Sequence, residues 1–144
     1  MTLCVDASVA VKWFVPEEGR AEALALWQRL VDGEQIVEPD LFFVEVANGL
    51  RHHAQGGDLT EKELGQAAEL LVGLPVETWP ARELVRAALR LAGDLKLTVW
   101  DAMYVAVAHE RQAELWTADE ALYRRAREAV PGVHLLTWPS AGSR

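Results

Sequence analysis

Four acidic residues spread along this 144-residue chain have the chemistry to hold a metal ion together. Asp6, Glu45, Asp101 and Asp119 each lie in an apolar stretch at or near the start of a predicted helix, in the strings VDASVAVKWF, LFFVEVANGL, LTVWDAMYVAVAHE and LWTADEAL. Carboxylates lose hydration among apolar side chains, and several of them together repel one another unless cations or protons compensate. A shared metal site is the simplest explanation.

Two of these acids also have a plain structural interpretation. Asp6 or Ser8 could simply cap a helix, which is the commonest role of such residues and is favoured for Asp6 taken alone. Glu45 shares the core-facing side of its helix with Leu41 and Phe42, where an unpaired glutamate is rare, so a lone buried ion pair is its alternative.

The other two acids could serve the starts of their helices. Thr98-x-x-Asp101 and Thr117-x-x-Glu120 both have the capping-box pattern, and Asp119 would then be a favourable charge in the first turn. Capping does not explain why four acids should gather at one place, however, so the set predicts a site better than any single member does.

Short apolar runs alternate with longer helical patterns, which is typical of an α/β fold with a parallel sheet. The predicted strands, each short enough to be a buried central strand, are 3–6, 35–37, 76–79, 115–117 and 134–136. The predicted helices are 8–14, 18–32, 40–55, 60–72, 81–94, 99–111 and 120–130. Ligands of parallel sheets bind beyond the carboxyl ends of the strands, and all four acids can converge there.

Composition narrows the class of protein. With 51% hydrophobic and 25% charged residues, the chain has the size of one domain, expected over residues 1–138 with a tail at 139–144 that frays. It has no uncharged stretch of membrane-spanning length, and Asp6 and Lys12 interrupt the region where a signal peptide needs an apolar run, so we expect a soluble cytoplasmic protein. Cys4 is the single cysteine and is expected to pack as a small buried hydrophobe.

The formal charge of −8 argues against binding nucleic acid by general attraction to phosphates, so cations would have to mediate any contact with RNA. His52 and His53 fit a solvated helix end and not a metal site.

The motifs VDASVAVKWFVPEE, PDLFFVEVANGLRHH, LTVWDAMYVAVA and LWTADEAL, in this order, resemble the PIN-domain ribonucleases of the VapC toxin type. The resemblance covers nearly the whole chain. The acidic positions of the family are filled by Asp6, Glu45, Asp101 and Asp119. Ser8 and Thr117 match its accessory hydroxyl positions and Asn48 its frequent asparagine.

The resemblance implies a three-layer α/β/α sandwich around a central, mostly parallel sheet of five strands, and a homodimer. It implies an endoribonuclease that depends on Mg²⁺ or Mn²⁺ and is inhibited by a VapB-type antitoxin, so that DNA would be contacted only through the antitoxin complex.

Oxygen ligands alone suit such hard cations better than zinc. In the expected site, Asp6, Asp101 and Asp119 hold the metal, and Glu45 binds a second ion or positions the attacking water. Ser8 and Thr117 orient the carboxylates, and Asn48 orients Glu45 or a water.

Two other classes of function stay open. A metal-dependent phosphatase also places aspartates at strand ends, although the haloacid-dehalogenase type needs Asp-x-Asp where this chain has Ser8. A non-catalytic module would use the acidic pocket only to dock a basic peptide. The sequence leaves the RNA target and the number of metal ions undetermined.

Overall fold

The computed structural model describes residues 1–140 and has a five-stranded sheet, parallel throughout, with helices packed against it. The strands are β1 (Thr2–Val5), β2 (Gln35–Pro39), β3 (Val76–Trp79), β4 (Glu114–Thr117) and β5 (Val133–Leu135). The helices are α1 (Ala7–Ala10), α2 (Arg20–Val31), α3 (Phe42–Gln55), α4 (Glu61–Val72), α5 (Ala81–Leu95), α6 (Val99–Arg111) and α7 (Glu120–Ala126), and a 3-10 turn at Val11–Trp13 follows α1. The predicted α/β fold is confirmed.

The order of the strands creates a binding crevice. The sheet has the order β3-β2-β1-β4-β5, so the chain builds outward from β1 to β3 and then crosses to the other side of β1. The connections that leave β1 and β4 run in opposite directions, which opens a crevice at the carboxyl ends of these two strands. Asp6 follows β1 and Asp119 follows β4 at this crevice.

Helix α6 anchors the centre of the molecule. Every side chain from Ala102 to Ala108 is buried, because α6 packs across β1, β2 and β4 on one side and against α5 on another. A helix that is apolar on all sides is stable only in such a position, and each large side chain buried in this way contributes about 1.5–3 kcal/mol. The first turn of α6, which carries Asp101, is therefore held firmly beside the crevice.

A close helix contact brings α3 to the same place. A Cβ atom at Gly49 would lie 2.7 Å from Cγ2 of Val11, so only glycine lets α3 approach the 3-10 turn this closely. Because Glu45 lies one turn earlier on α3, this approach sets its distance from the end of β1.

Several predicted helix bounds shift by one or more residues in the structure, and three of these shifts have a local cause. The predicted helix 8–14 is α-helical only to Ala10 and continues as the 3-10 turn. The helix predicted at 18–32 begins at Arg20, because Gly19 at its N-cap has a φ of +83° and lies against the ring of Trp138. The helix predicted at 120–130 ends at Ala126 and is followed by a turn in which Ala129 N and Val130 N both donate to Ala126 O, before Pro131, which has no N–H to continue a helix.

The prediction that every strand is short enough to be buried centrally is wrong for the two edge strands. β3 and β5 form the edges of the sheet, and Glu77 and Thr78 of β3 are exposed. Polar side chains on an exposed edge also discourage pairing with a further strand.

The end of the chain packs back onto its beginning. The Nζ atom of Lys12 lies 4.6 Å from the ring centroid of Trp138, whose indole also covers Gly19. We therefore propose that the domain extends to residue 138. Of the predicted tail 139–144, residues 141–144 lie outside the described part of the chain. Within residues 1–140, none of the helices combines the length and the apolar character needed to span a membrane.

Candidate active site

The structure brings all four predicted acids to the carboxyl edge of the sheet. Asp6 ends β1, Asp119 follows β4, and Glu45 and Asp101 lie in the first turns of α3 and α6. Burial raises the carboxyl pKa of Asp6, Glu45 and Asp101. Charge repulsion raises these pKa values further: the charge of Asp101 raises the pKa of Asp6 and Glu45, and the charge of Asp119 raises the pKa of Asp101. Asp101 is thus the common neighbour of the other three.

Asp6 is the most enclosed of the four, with 5% of its surface exposed. Its Oδ1 accepts hydrogen bonds from Ser8 Oγ at 2.5 Å and Val9 N at 3.3 Å, and its Oδ2 accepts one from Thr117 Oγ1 at 2.5 Å. Asp6 therefore does cap α1, but the cap uses only part of its carboxylate. Burial raises its pKa to about 6, even though these hydrogen bonds favour the charged form.

The two predicted accessory hydroxyls join the ends of β1 and β4. Besides donating to Asp6, Ser8 Oγ accepts a hydrogen bond from Ala118 N at 3.0 Å, and Thr117 Oγ1 accepts one from Asp119 N at 3.0 Å. Each hydroxyl has its donor directed at the aspartate and its acceptor occupied by the backbone after β4. This arrangement fixes the orientation of the Asp6 carboxylate.

Glu45 has a carboxylate oxygen without a partner. Its Oε1 is buried and accepts no hydrogen bond, and the hydroxyl of Tyr104 is likewise buried without a partner. The Tyr104 hydroxyl lies near Glu45, where it favours the ionised carboxylate and so opposes the rise of the Glu45 pKa caused by burial. The two groups do not, however, meet the geometry of a hydrogen bond. Asn48, expected to orient Glu45, is exposed on the next turn of α3.

The remaining two acids differ from each other in their helix-capping roles. Thr98 is the N-cap of α6, and its Oγ1 accepts from Asp101 N at 3.1 Å, as half of the predicted capping box requires. The predicted box of Thr117 and Glu120 is wrong. Asp119 itself is the N-cap of α7, and its Oδ1 accepts from the backbone of Ala121 and Leu122, because Thr117 belongs to β4 and turns toward Asp6.

The donor set fits a hard cation, although it is not drawn together around one. Within residues 1–140, no three histidine, cysteine, aspartate or glutamate side chains are close enough together to hold a metal ion as they stand. The gathered donors are all oxygens, which is the chemistry that Mg²⁺ and Mn²⁺ prefer. Glu45 Oε1 lacks a partner, and the three carboxyls with raised pKa are both buried and repelled by a neighbouring acid, so the site concentrates negative charge that is only partly offset.

A fifth acid lies directly behind this site and was missed in the sequence. Glu38, near the end of β2, is fully buried, with Oε1 2.7 Å from Val5 N and Oε2 3.5 Å from Cys4 Sγ. Cys4 is buried, as predicted. The sequence does contain a signal for Glu38. It follows the apolar pair Ile36 and Val37 and precedes Pro39, at which the strand ends.

A cleft of about 440 Å³ extends from the site along α3. Ser8, Glu45 and Asn48 line the end near the carboxylates, and Lys12, His52 and His53 also contribute to its walls. His52 is exposed, as predicted for a solvated helix end.

Acidic side chains hold Lys12 and His53 in the wall of the cleft. Glu17 accepts from Lys12 Nζ at 3.1 Å and lies 3.1 Å from His53 Nε2, and His53 Nδ1 lies 2.7 Å from Asp58 Oδ2. His53 is therefore more tightly held than a solvated helix end implies.

The sequence profile of the PIN domain family matches residues 3–128. The chain is 37% identical over 127 residues to Ribonuclease VapC3 of Pyrobaculum aerophilum, an alignment that covers 85% of this chain and 92% of the relative.

Solved structures share the fold at lower sequence identity. A toxin–antitoxin complex from Klebsiella pneumoniae has a TM-score of 0.63 at 18% identity, covering 94% of this chain and 98% of the other. A protein from Pyrobaculum aerophilum has a TM-score of 0.65 at 23% identity, covering 92% and 82%. VapBC2 from Rickettsia felis, bound to a DNA fragment from its promoter, has a TM-score of 0.63 at 14% identity, covering 96% and 100%. With its acidic crevice at the carboxyl ends of β1 and β4, the chain belongs to the PIN domain family and, within it, to the VapC-type ribonucleases.

Proposed function

We propose that this protein is a toxin endoribonuclease that hydrolyses RNA phosphodiester bonds with Mg²⁺ or Mn²⁺ and is neutralised by a VapB-type antitoxin. The observation that carries the proposal is the gathering of buried acids at the crevice between β1 and β4, where burial and mutual repulsion raise the pKa of three carboxyls and Glu45 Oε1 has no partner. A divalent cation is the ligand that best relieves such a cluster.

Each acid has a role that follows from its position. Asp6, Asp101 and Asp119 hold the metal directly or through water, and Asp6 is the best oriented of them because Ser8 and Thr117 fix both of its oxygens. Asp119 has one oxygen occupied by the N-cap of α7 and therefore offers mainly the other.

Glu45 lines the end of the cleft near the carboxylates, where it binds a second ion or positions the attacking water. When bound, the cation neutralises the scissile phosphate and makes water a better nucleophile near neutral pH.

RNA would enter along the cleft beside α3. Because the net charge is −8, the protein does not attract a polyanion by itself, and binding would rely on the metal site and on local cations. Arg125 is such a cation. Its Nη1 donates to the carbonyl oxygen of Lys96 at 2.7 Å, and its charge lowers the pKa of Asp101, so it is held beside the carboxylates.

The partners follow from the family. The Klebsiella and Rickettsia neighbours are toxin–antitoxin complexes, and the second holds promoter DNA, which supports an antitoxin partner through which this protein would contact DNA. We also propose a homodimer, for which the exposed apolar side chains Leu70, Val72, Val85 and Leu89 of α4 and α5 offer surface. Light scattering of the purified protein would test this state.

The decisive experiment compares metal-dependent cleavage by matched aspartate variants. We expect the wild-type protein to cleave an RNA oligonucleotide with Mg²⁺ or Mn²⁺, to stop when EDTA is added, and to lose at least about 100-fold of this activity in Asp101→Asn. Asp40→Asn is the control, because Asp40 is an exposed aspartate just beyond β2 at the same edge of the sheet. Wild-type cleavage by folded Asp101→Asn would contradict the proposal.

The same preparation separates the two alternative classes. A phosphatase would release phosphate from a small monoester and leave the oligonucleotide intact, whereas a non-catalytic module would bind an antitoxin peptide and hydrolyse neither substrate.

A further inference from the structure

Glu38 is a buried carboxyl group that the proposed chemistry does not use. Its two oxygens meet Val5 N at 2.7 Å and Cys4 Sγ at 3.5 Å, and its surface is fully covered. Both partners belong to the last two residues of β1, immediately before Asp6. The side chain of Glu38 therefore ties β2 to the end of the strand that carries the most enclosed acid of the site.

The direction of the main-chain groups shows which bond this side chain replaces. Successive N–H groups of a strand point alternately to its two neighbours. Asp6 N donates to Trp116 O of β4 at 3.0 Å, so Val5 N must face β2 on the other side. The register pairs Leu3 with Ile36, which places Val5 opposite Glu38.

Proline explains why the regular pairing stops. In a continued parallel ladder, Val5 N would donate to Val37 O, and the main-chain N–H of residue 39 would donate to Val5 O. Pro39 has no N–H group to donate. The pairing of β1 with β2 ends at Leu3 and Ile36, whereas β2 stays paired with β3 as far as Pro39 and Trp79.

The two strands thus separate where the crevice begins, and a buried N–H group is left facing the gap. Buried main-chain donors in native proteins almost always have an acceptor. The carboxyl group of Glu38 lies in the gap and supplies that acceptor to Val5 N.

We propose that Glu38 is a positioning residue, whose side chain takes the place of Val37 O as the acceptor for Val5 N where the ladder stops, and so fixes the end of β1 and the Asp6 carboxylate. This rests on the proposed function only in that Asp6 is taken as a metal ligand. The role requires an acceptor for Val5 N and a polar contact to Cys4, and it does not require a charge. Burial raises the pKa of Glu38 well above its usual range, against the opposing effect of the Val5 bond, which agrees with a group that acts while neutral.

Glutamine and leucine at position 38 distinguish this role from mere filling of space. Glu38→Gln keeps an oxygen for Val5 N and an N–H group for Cys4, whereas Glu38→Leu keeps the volume and offers no acceptor. We expect Glu38→Gln to retain slow amide exchange at Val5 and a Mn²⁺ midpoint within about threefold of the wild type. For Glu38→Leu we expect rapid exchange at Val5 and a Mn²⁺ midpoint raised about 10–100-fold, the usual effect of losing a group that orients a metal ligand.

Two measurements report on the role of Glu38 without any RNA. Hydrogen exchange followed by NMR gives the protection of Val5 relative to Asp6, whose amide bonds to β4. Thermal unfolding at increasing Mn²⁺ concentrations gives the midpoint of metal binding. Leu84→Ala is the matched control, because Leu84 is a buried residue of α5 outside the site, so it should lower the melting temperature but leave both readouts unchanged.

Three results would overturn the proposal. These are a wild-type Mn²⁺ midpoint in folded Glu38→Leu, an equal defect in Glu38→Gln and Glu38→Leu, and an unprotected Val5 amide in the wild-type protein. The last of these applies even if Glu38→Leu does not fold. A protein that binds Mn²⁺ and protects Val5 but cleaves no RNA would contradict the proposed function while leaving the role of Glu38 supported.

Discussion

Replacing Asp6 by asparagine should stabilise the metal-free protein while abolishing its metal-dependent activity. The folded protein holds a proton on Asp6 more tightly than the unfolded chain does, because burial raises this pKa from 3.8 to about 6. Between these two pH values the folded state binds more protons, so its stability falls as the pH rises, and the full cost is present above about pH 6. Asparagine carries no charge and avoids this cost.

The size of the effect follows from the pKa. A rise from 3.8 to about 6 corresponds to about 3 kcal/mol. Asparagine can still accept hydrogen bonds from Ser8 and Val9, but its amide nitrogen would face Thr117 Oγ1, which must then give up its role as a donor. We therefore expect a net gain of about 1–3 kcal/mol at neutral pH.

Urea denaturation in EDTA across the range from about pH 4 to pH 8 would measure this gain. The wild-type stability should fall as the pH rises, and the fall should be shallower in Asp6→Asn. Mn²⁺ should then remove the advantage of the variant, because a ligand at about 100 times its Kd stabilises the wild-type protein by about 2.7 kcal/mol. Asp40→Asn, an exposed aspartate at the same edge of the sheet, should show neither effect.

An Asp6→Asn variant that is no more stable than the wild type in EDTA at neutral pH, with a pH profile of the same slope, would contradict this expectation. Asp6 would then carry its charge without cost in the folded state. A gain in stability with full retention of Mn²⁺ binding would instead show that Asp6 is buried as described but is not a metal ligand.

Three further substitutions test other parts of the site and its supports. Thr117→Val removes the hydroxyl that donates to Asp6 Oδ2 and should weaken Mn²⁺ binding by about 10–100-fold in calorimetry, with the fold retained. Gly49→Ala places a methyl group 2.7 Å from Val11 Cγ2 and should cost about 1–3 kcal/mol in urea denaturation, with most of the loss recovered by adding Val11→Ala. Tyr104→Phe removes a buried hydroxyl without a partner and should leave the stability unchanged or raise it by up to about 1 kcal/mol, whereas a clear loss would reveal a partner for that hydroxyl.

Much of the fold could be predicted because it follows from local patterns. The period of apolar residues indicated the five strands and the helices of the described residues, and the capping residue Thr98 marked the start of α6 correctly. The predictions that failed depended on neighbours distant in sequence. Whether β3 was central or at an edge depended on the order of strands, and the start of α2 depended on Trp138 lying over Gly19.

For the candidate site, too, local sequence patterns could be predicted and contacts between distant segments could not. The sequence predicted Asp6, Glu45, Asp101 and Asp119 as site residues, because acids in apolar stretches at the ends of strands are costly without a ligand, and the structure places all four at the carboxyl edge of the sheet. It did not predict that Asp119 caps α7, since that cap formed only because Thr117 turns toward Asp6 from a position 111 residues away in the chain.

The sequence by itself determined the chemistry of this protein, which is a set of oxygen donors carried by alternating strands and helices. Tertiary structure alone decided which donors are desolvated, which share Asp101 as a neighbour, and that Glu38 completes the end of β1. The physical reason is that residue type and spacing set what a side chain can donate or accept. Burial and pairing, in contrast, depend on which segments the fold brings together.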